Sequence, residues 1–258
     1  MTDRLRAIAV LVVASAYIYW APNAFMEYAH GITPPSLREP TPLELRAKQA
    51  AADHAPHDCD YKIGGPCRNP DAPIAIWGDS MAGAWATGIS ADTYTFPACA
   101  PAVGQAGISA ACRAFNDAVP ARIKAGTVIL AARWVQYPDG DLTETFKALR
   151  GKRVLVMGPT PRIPGGVPAC IRYGQSCAVP RAKFDAQAVP ILANLRQQAK
   201  PFPNVQVLDL SDQFCTRESC PGVRDGVALY FDAMHPSRTQ ARRVMAAISD
   251  AGKLSLAR

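Results

Sequence analysis

Short apolar runs alternate with helical patterns along most of this 258-residue chain. The strand-like runs are Ile74–Trp77, Thr127–Ala132, Arg153–Met157 and Val205–Leu210, with a weaker one at Thr93–Phe96. The helical patterns are Met81–Ser90, Arg113–Ala125, Asp141–Leu149, Arg181–Ala199 and Ser237–Ala251. Continuous apolar strands separated by helices are typical of a parallel sheet that is covered on both faces. We therefore predict an α/β domain. Its long connection from Pro159 to Pro180 is expected to border a site.

The N-terminal segment predicts export. Arg4 and Arg6 precede an apolar run from Ala7 to Trp20 that continues to Met26. About 20 residues of helix reach about 30 Å, the thickness of a bilayer core, and the arginines would stay cytoplasmic. A cleavable signal is the alternative, because residues 14–16 have the small-x-small pattern. We favour an uncleaved transmembrane anchor, since the apolar stretch before that pattern is short.

The predicted organisation has three segments: an anchor or signal at 1–26, a Pro- and Ala-rich linker at 27–72, and the α/β domain at 73–258. In the linker, Thr41-Pro42-Leu43-Glu44 matches a capping box with proline at the first helical position, which predicts a helix to about Ala52. His54, His57 and Asp58 cluster after it, and we interpret them as a solvated loop rather than a metal site. No metal or cofactor is predicted.

The formal net charge of +7 arises mostly from arginine scattered along the chain. No basic run is interleaved with aromatic residues, so nucleic acid is not a predicted partner. A diffuse positive surface fits an anionic membrane or an acidic polysaccharide nearby, and equally a surface that only maintains solubility.

The eight cysteines form four close pairs along the sequence: Cys59 and Cys67, Cys99 and Cys112, Cys170 and Cys177, Cys215 and Cys220. None has the two-residue spacing of a zinc knuckle or a thioredoxin-type redox motif. An even count of loop cysteines indicates disulfides, which persist in oxidising compartments. We expect neighbours to pair, although spacing alone leaves the connectivity open.

Two short motifs at opposite ends of the domain carry the candidate chemistry. Ser80 follows Gly78 and the first apolar run, at the mouth of a helix, while Asp232 and His235 lie just ahead of the last helix. In open α/β sheets ligands bind outside the carboxyl ends of the strands. Together these residues supply a nucleophile, an orienting acid and a general base for attack on an ester carbonyl. The alternative is that Asp79 or Ser80 only caps the helix and that the Asp-x-x-His pair is structural.

Gly78-Asp79-Ser80 with Asp232-x-x-His235 resembles the SGNH (GDSL-type) hydrolase superfamily. More closely, the chain is similar to the periplasmic SGNH domain that is fused to, or paired with, membrane acyltransferase-3 proteins that O-acetylate cell-envelope glycans. The further segments that carry this resemblance are Cys99-Ala100-Pro101, Val128 to Trp134, and Cys215 to Cys220. The resemblance covers roughly Pro73 to Ile248. It implies a flavodoxin-like three-layer α/β/α fold with Ser80, Asp232 and His235 as the catalytic triad.

The chain departs from the superfamily pattern after the third strand. A Gly-x-Asn-Asp block there supplies an oxyanion-hole asparagine in the superfamily, and this chain has Arg133-Trp134. Asn116-Asp117 lies earlier, in a helical pattern, and we interpret it as structural. The family's glycine block implies that the amide of Gly104 or Gly107 is an oxyanion donor. Arg133 is a second candidate, which contacts substrate or developing charge unless it forms a structural ion pair.

The resulting hypothesis is a serine O-acetyltransferase or acetylesterase that acts on a cell-envelope carbohydrate, anchored in the inner membrane with its domain in the periplasm. The resemblance and the anchor favour transfer, with a separate integral membrane acyltransferase supplying acetyl groups. The alternative from another class is a non-catalytic glycan-binding or scaffold module, which the missing asparagine block favours. A lipase-like esterase at the membrane surface is a third. The sequence leaves open transfer against hydrolysis, and the identity of the glycan.

Overall fold

The structure is a computed structural model that describes residues 39–54, 69–137 and 140–254. The predicted anchor at 1–26, the pair Cys59 and Cys67, and the residues His57 and Asp58 lie outside these ranges. Within the described ranges, no helix has the length and apolar character that crossing a membrane requires. The chain divides into two compact units, Met1–Leu45 and Arg46–Arg258, and the sheet described below belongs to the second.

Five parallel strands form the central sheet. In chain order they are β1 (Ile74–Gly78), β2 (Asp92–Thr95), β3 (Thr127–Ala131), β4 (Arg153–Met157) and β6 (Val205–Leu208). A short strand outside this sheet, β5 (Ala178–Pro180), lies between β4 and β6 in the chain. Their order across the sheet is β2-β1-β3-β4-β6, with every pairing parallel. This is the strand order of flavodoxin-like sheets, in which the chain reverses direction next to the first strand. The prediction of an α/β fold with a central parallel sheet is confirmed.

One helix, α1 (Pro42–Ala52), precedes β1. The helices that lie between or after the strands cover both faces of the sheet: α2 (Ser80–Ala86), α3 (Ala110–Arg122), α4 (Thr143–Ala148), α5 (Val167–Arg172), α6 (Arg181–Ala199), α7 (Ser211–Phe214) and α8 (Arg238–Asp250). Successive strand residues alternate between two apolar cores. Ile129 of β3 packs in one core with Trp85 of α2 and Val244 of α8. Its neighbour Val128 packs in the other core with Phe115 of α3. Burial on both sides explains why the strands are apolar without alternation.

Local capping sets the helix starts. The capping box predicted ahead of α1 is present: the Glu44 amide donates to Thr41 Oγ1 (3.2 Å), and the Thr41 amide donates to Glu44 Oε2 (2.8 Å). Ser237 caps α8 by accepting from the Gln240 amide at 3.1 Å. Ser109 likewise accepts from the Cys112 amide at 3.2 Å, so α3 begins three residues before the predicted Arg113. The Ser109 cap was the signal that the periodicity did not show.

The connection from 159 to 180 contains more structure than the sequence predicted. It holds α5 and the short strand β5 (Ala178–Pro180), which pairs antiparallel with β7 (Ser219–Pro221). A disulfide between Cys170 and Cys177 closes the segment between the two elements. A hairpin of two further short strands, β8 (Val223–Arg224) and β9 (Val227–Ala228), leads to the last loop before α8.

Candidate active site

Ser80 lies at the carboxyl edge of the sheet, where β1 passes into α2. A β-carbon at Gly78 would lie 1.7 Å from the Ala131 carbonyl oxygen, so only glycine permits β1 and β3 to approach this closely here. Asp79 follows as the N-cap of α2, and Ser80 is the first helical residue. An amide at that position has no acceptor within its own helix, which makes the Ser80 N–H a candidate donor to a ligand.

The Ser80 hydroxyl meets His235, which comes from the loop ahead of α8. The Ser80 Oγ lies 2.8 Å from His235 Nε2, and His235 Nδ1 lies 2.6 Å from Asp232 Oδ2. With the proton on Nδ1, the ring donates to the carboxylate and accepts from the serine hydroxyl. An imidazole held in this way can remove the proton from the serine, which is the chemistry of an activated nucleophile. The structure thus brings the three predicted side chains together.

Backbone contacts hold the loop that carries this pair. Asp232 Oδ1 accepts from the amides of Met234 and His235, each at 2.8 Å, which closes a tight turn around the carboxylate. The connection after β4 supports the turn from outside, because the Val167 amide donates to the Asp232 carbonyl (3.0 Å) and the Ile163 amide to the Ala233 carbonyl (2.8 Å). The long connection therefore borders the site, as predicted.

The pKa values of the two carboxylates at the site, Asp232 and Asp79, are shifted in opposite directions. Burial raises the pKa of Asp232, but hydrogen bonds from the His235 ring and from the Met234 and His235 amides outweigh it, so its pKa lies below the usual value. For Asp79, which is 1% exposed, burial is the stronger effect and its pKa is raised despite hydrogen bonds from Arg133, Met81 and Tyr137. The lowered pKa favours the ionised form of Asp232, which can pair with a protonated imidazole.

Asp79 joins α2 to the segment after β3. Its Oδ1 accepts from the Met81 amide at 2.8 Å, as expected of a cap. Its Oδ2 accepts from the Arg133 amide at 2.9 Å and from the Tyr137 hydroxyl at 3.3 Å. The sequence interpretation considered Asp79 only as a cap and did not single out Tyr137. The one signal for Tyr137 was its position just beyond a strand end at the carboxyl edge.

Three of the four cysteine pairs are disulfide-bonded in the structure: Cys99 with Cys112, Cys170 with Cys177, and Cys215 with Cys220. The prediction that neighbours pair is confirmed for these three. The first of them ties the segment after β2 to α3. In the described ranges no group of three His, Cys, Asp or Glu side chains is placed to hold a metal ion.

Comparison with known proteins assigns the family. Residues 47–250 match the family model of the SGNH domain that is fused to AT3 domains. The chain belongs to this SGNH family. Its fold is similar to that of the lipopolysaccharide acetyltransferase periplasmic domain of Salmonella ser. Paratyphi A, with a TM-score of 0.57, 13% identity, and coverage of 82% of this chain and 97% of the other. At that identity the likeness concerns the fold alone.

A second solved structure is more distant. It is Est24, a carbohydrate acetylesterase from Sinorhizobium meliloti, with a TM-score of 0.38, 16% identity, and coverage of 69% of this chain and 97% of that chain. No curated protein sequence matches the chain.

The candidate oxyanion residues of this SGNH domain differ in what they contact. The Gly104 amide donates to Asp117 Oδ1 at 3.3 Å, and the described contacts connect Gly104 neither to Ser80 nor to His235. Arg133 is adjacent to the site through its amide, which binds Asp79. Its side-chain Nε is buried and has no hydrogen-bond partner among the described residues. The Arg133 backbone is therefore at the site, and its side chain carries a donor that no described residue pairs.

Asn116 is fully occupied in the core of the SGNH domain. It is 0% exposed, its side-chain nitrogen donates to the carbonyls of Ala100 (2.8 Å) and Ala102 (3.1 Å), and its oxygen accepts from Trp77 Nε1 at 3.2 Å. These contacts tie α3 to the loop after β2. They agree with the interpretation of Asn116 as a structural residue.

Proposed function

We propose that the domain is a serine-dependent acyl transferase or esterase that forms an acyl-enzyme on Ser80. The observation that carries this proposal is the hydrogen-bonded series from Ser80 Oγ through the His235 ring to Asp232, with distances of 2.8 and 2.6 Å. Membership of the SGNH family supports it. A residue that only capped α2 would not need an imidazole at hydrogen-bond distance, since Asp79 already provides the cap.

In the proposed reaction, His235 Nε2 takes the proton from Ser80 as Oγ attacks the ester carbonyl. The Asp232 carboxylate stabilises the imidazolium through Nδ1–H. The imidazolium then gives its proton to the leaving oxygen, and the acyl group remains on Ser80. In the second half, His235 removes a proton from a sugar hydroxyl, which gives transfer, or from water, which gives hydrolysis, as that oxygen attacks the acyl carbonyl. The bond between the acyl carbon and Ser80 Oγ then breaks, and His235 returns the proton to Ser80 Oγ. The same three residues serve both outcomes.

The negative charge of the tetrahedral intermediate requires donors. The Ser80 amide at the start of α2 is the first candidate, since it is aligned with the positive end of the helix. We propose the Arg133 side chain as the second, because its buried Nε has no hydrogen-bond partner among the described residues and its backbone is held beside Ser80 through Asp79. Gly104 is the less favoured candidate, because its amide already donates to Asp117.

The proposed substrate is an acetyl ester or an acetyl acceptor on a cell-envelope carbohydrate. The supporting observations are a family model whose domain is fused to AT3 domains and the fold shared with a lipopolysaccharide acetyltransferase periplasmic domain. In that setting an integral membrane acyltransferase is the proposed source of acetyl groups. Three disulfides support a location outside the cytoplasm, with the N-terminal segment as the proposed inner-membrane anchor.

The test compares the full-length wild type with Ser80→Ala, purified with detergent, on p-nitrophenyl acetate. We expect turnover to fall about a thousandfold or more. Ser90→Ala is the matched control: Ser90 is exposed near the amino edge of the sheet and should leave turnover unchanged. Adding oligosaccharide acceptors then separates transfer, seen as acetylated sugar, from hydrolysis. Equal turnover in wild type and Ser80→Ala would exclude the serine mechanism.

A non-catalytic glycan-binding module is the second candidate, and the observation that favours it is Arg133-Trp134 in place of the superfamily's asparagine block. A fluorophosphonate probe distinguishes the two functions. Labelling of wild type at Ser80, located by peptide mass spectrometry and absent in Ser80→Ala, supports catalysis. A folded wild type that binds oligosaccharide but does not react with the probe supports the binding module.

A further inference from the structure

His235 lies in a series of three rings that begins in the segment predicted to be a linker. The Phe231 and His235 rings are stacked, with centroids 5.5 Å apart and planes inclined by 12°. The centroid of the His54 ring lies 5.1 Å from that of the Phe231 ring, with the planes inclined by 47°. All three side chains are half-buried. The Phe231 ring therefore contacts both His54, in that segment, and His235, the proposed general base.

Hydrogen bonds fasten that segment to the helix that follows His235. The Asp53 carbonyl accepts from the Arg238 amide at 2.7 Å, and Asp53 Oδ2 accepts from the Thr239 amide at 3.3 Å. These amides belong to the first turn of α8, where backbone donors have no helical partner. A carboxylate is favourable at that end of a helix. His54 is consequently held against the loop by contacts that are independent of its own ring.

The hydrogen bond to Asp232 does not by itself fix the orientation of the His235 ring plane. It fixes the position of Nδ1, but the ring can still tilt about the line between Nδ1 and the carboxylate, and tilting moves Nε2 away from Ser80 Oγ. A flat ring stacked at 12° restricts that tilt on one face. The Phe231 ring must in turn be supported, and His54 contacts it.

We propose that Phe231 is a positioning residue for His235, and that His54, held by Asp53, is part of the active site because it supports the Phe231 ring. This inference rests on the proposed function, in which Nε2 must face the Ser80 hydroxyl. It assigns a role to the segment before the sheet: its docking completes the geometry of the general base. A displacement of the segment lowers activity without changing any residue of the Ser80, His235, Asp232 series.

The experiment uses the full chain with Phe231→Leu, which keeps apolar volume but removes the flat ring, and Phe231→Tyr, which keeps the ring. We expect Phe231→Leu to lower kcat about tenfold to a hundredfold with KM nearly unchanged, since small displacements of a catalytic group have effects of this size. Phe231→Tyr should retain most of the wild-type kcat. In proton NMR, the far-downfield signal of His235 Nδ1–H should broaden or shift in Phe231→Leu and be retained in Phe231→Tyr.

The same readouts apply to the supporting ring. We expect His54→Ala to lower kcat severalfold and His54→Phe to recover it. Phe202→Leu is the matched control for lost stability, because it removes a ring pair with Phe146 (5.4 Å) in the opposite core. It should lower the melting temperature and leave kcat and the Nδ1–H signal as in wild type.

Wild-type kcat and an unchanged Nδ1–H signal in Phe231→Leu would overturn the proposal. A Phe231→Tyr variant that retains neither the wild-type kcat nor the wild-type Nδ1–H signal would also overturn it. If Phe231→Leu does not fold, His54→Ala decides by the same two criteria. The proposed function fails separately, when Ser80→Ala retains wild-type turnover. Even then the NMR signal reports whether Phe231 orients His235.

Discussion

Asp79 provides the sharpest test of how the site is held together. Its side chain is 1% exposed and accepts from the Met81 amide, the Arg133 amide and the Tyr137 hydroxyl. In Asp79→Ala the cap of α2 is lost, at about 1 kcal/mol. The part-buried Arg133 amide also loses its acceptor, at about 1–3 kcal/mol. We therefore expect the free energy of unfolding to fall by about 2–4 kcal/mol.

Two milder variants separate these contributions. Asp79→Asn keeps an oxygen for Met81 but turns an NH2 group towards the Arg133 amide, which cannot accept, so we expect a loss of about 1–3 kcal/mol. Tyr137→Phe removes one neutral hydrogen bond of 3.3 Å, at about 0.5–1 kcal/mol. Urea unfolding, followed by tryptophan fluorescence, measures the midpoint and the slope for each variant. The predicted order of destabilisation is Asp79→Ala, then Asp79→Asn, then Tyr137→Phe.

The pH dependence has a defined sign. Burial raises the pKa of Asp79 in the folded protein, whereas in the unfolded chain the pKa of this carboxyl group is about 3.9. The folded state therefore binds the Asp79 proton more tightly than the unfolded state does. The stability that Asp79 contributes is complete below that value and declines as pH rises through the folded pKa. The stability gap between wild type and Asp79→Asn should therefore narrow from acid towards neutral pH. Two results would refute this account of Asp79. One is a stability gap that widens towards neutral pH, and the other is an Asp79→Ala variant whose free energy of unfolding falls no more than that of Tyr137→Phe.

Three further outcomes are expected. Arg133→Ala keeps the backbone donor to Asp79, so the fold should be retained while turnover falls about a hundredfold if the side chain is an oxyanion donor; wild-type turnover in this variant would remove Arg133 from that role. Gly78→Ala places a β-carbon 1.7 Å from the Ala131 carbonyl oxygen, and we expect no soluble folded protein, measured by circular dichroism. Asp232 has a lowered pKa, so its stabilising effect is present above about pH 4 and lost on acidification; wild type should lose urea resistance there more steeply than Asp232→Asn.

Much of the fold could be predicted because its signals are local. The strand Arg153–Met157 and the helix Arg181–Ala199 have the predicted bounds, since each is a continuous pattern with clear ends. The helix predicted at Met81–Ser90 ends instead at Ala86. A β-carbon at Gly88 would lie 2.7 Å from the Ala241 backbone, so the chain turns there to let α8 pass. That limit is set by a partner distant in sequence, which no local pattern contains.

The candidate site also contains residues that local signals predicted and residues that they did not. Ser80, Asp232 and His235 were predicted because a strand end and a helix start locate them, and the sheet brings such ends to one edge. Tyr137 and His54 were not predicted as site neighbours, because their contacts with Asp79 and Phe231 join segments far apart in the chain. Only the folded geometry shows that these side chains meet.

The structure also bears on why the segment after β3 tolerates arginine. The contact with Asp79 is made by the Arg133 backbone, so many residues at this position could supply it. The link to Ser80 therefore does not require the side chain, and leaving Nε buried without a partner among the described residues opposes folding. A residue that a local rule disfavours is expected most often at a functional site. For that reason we interpret the arginine as a group that finds its partner in substrate or in the charged intermediate.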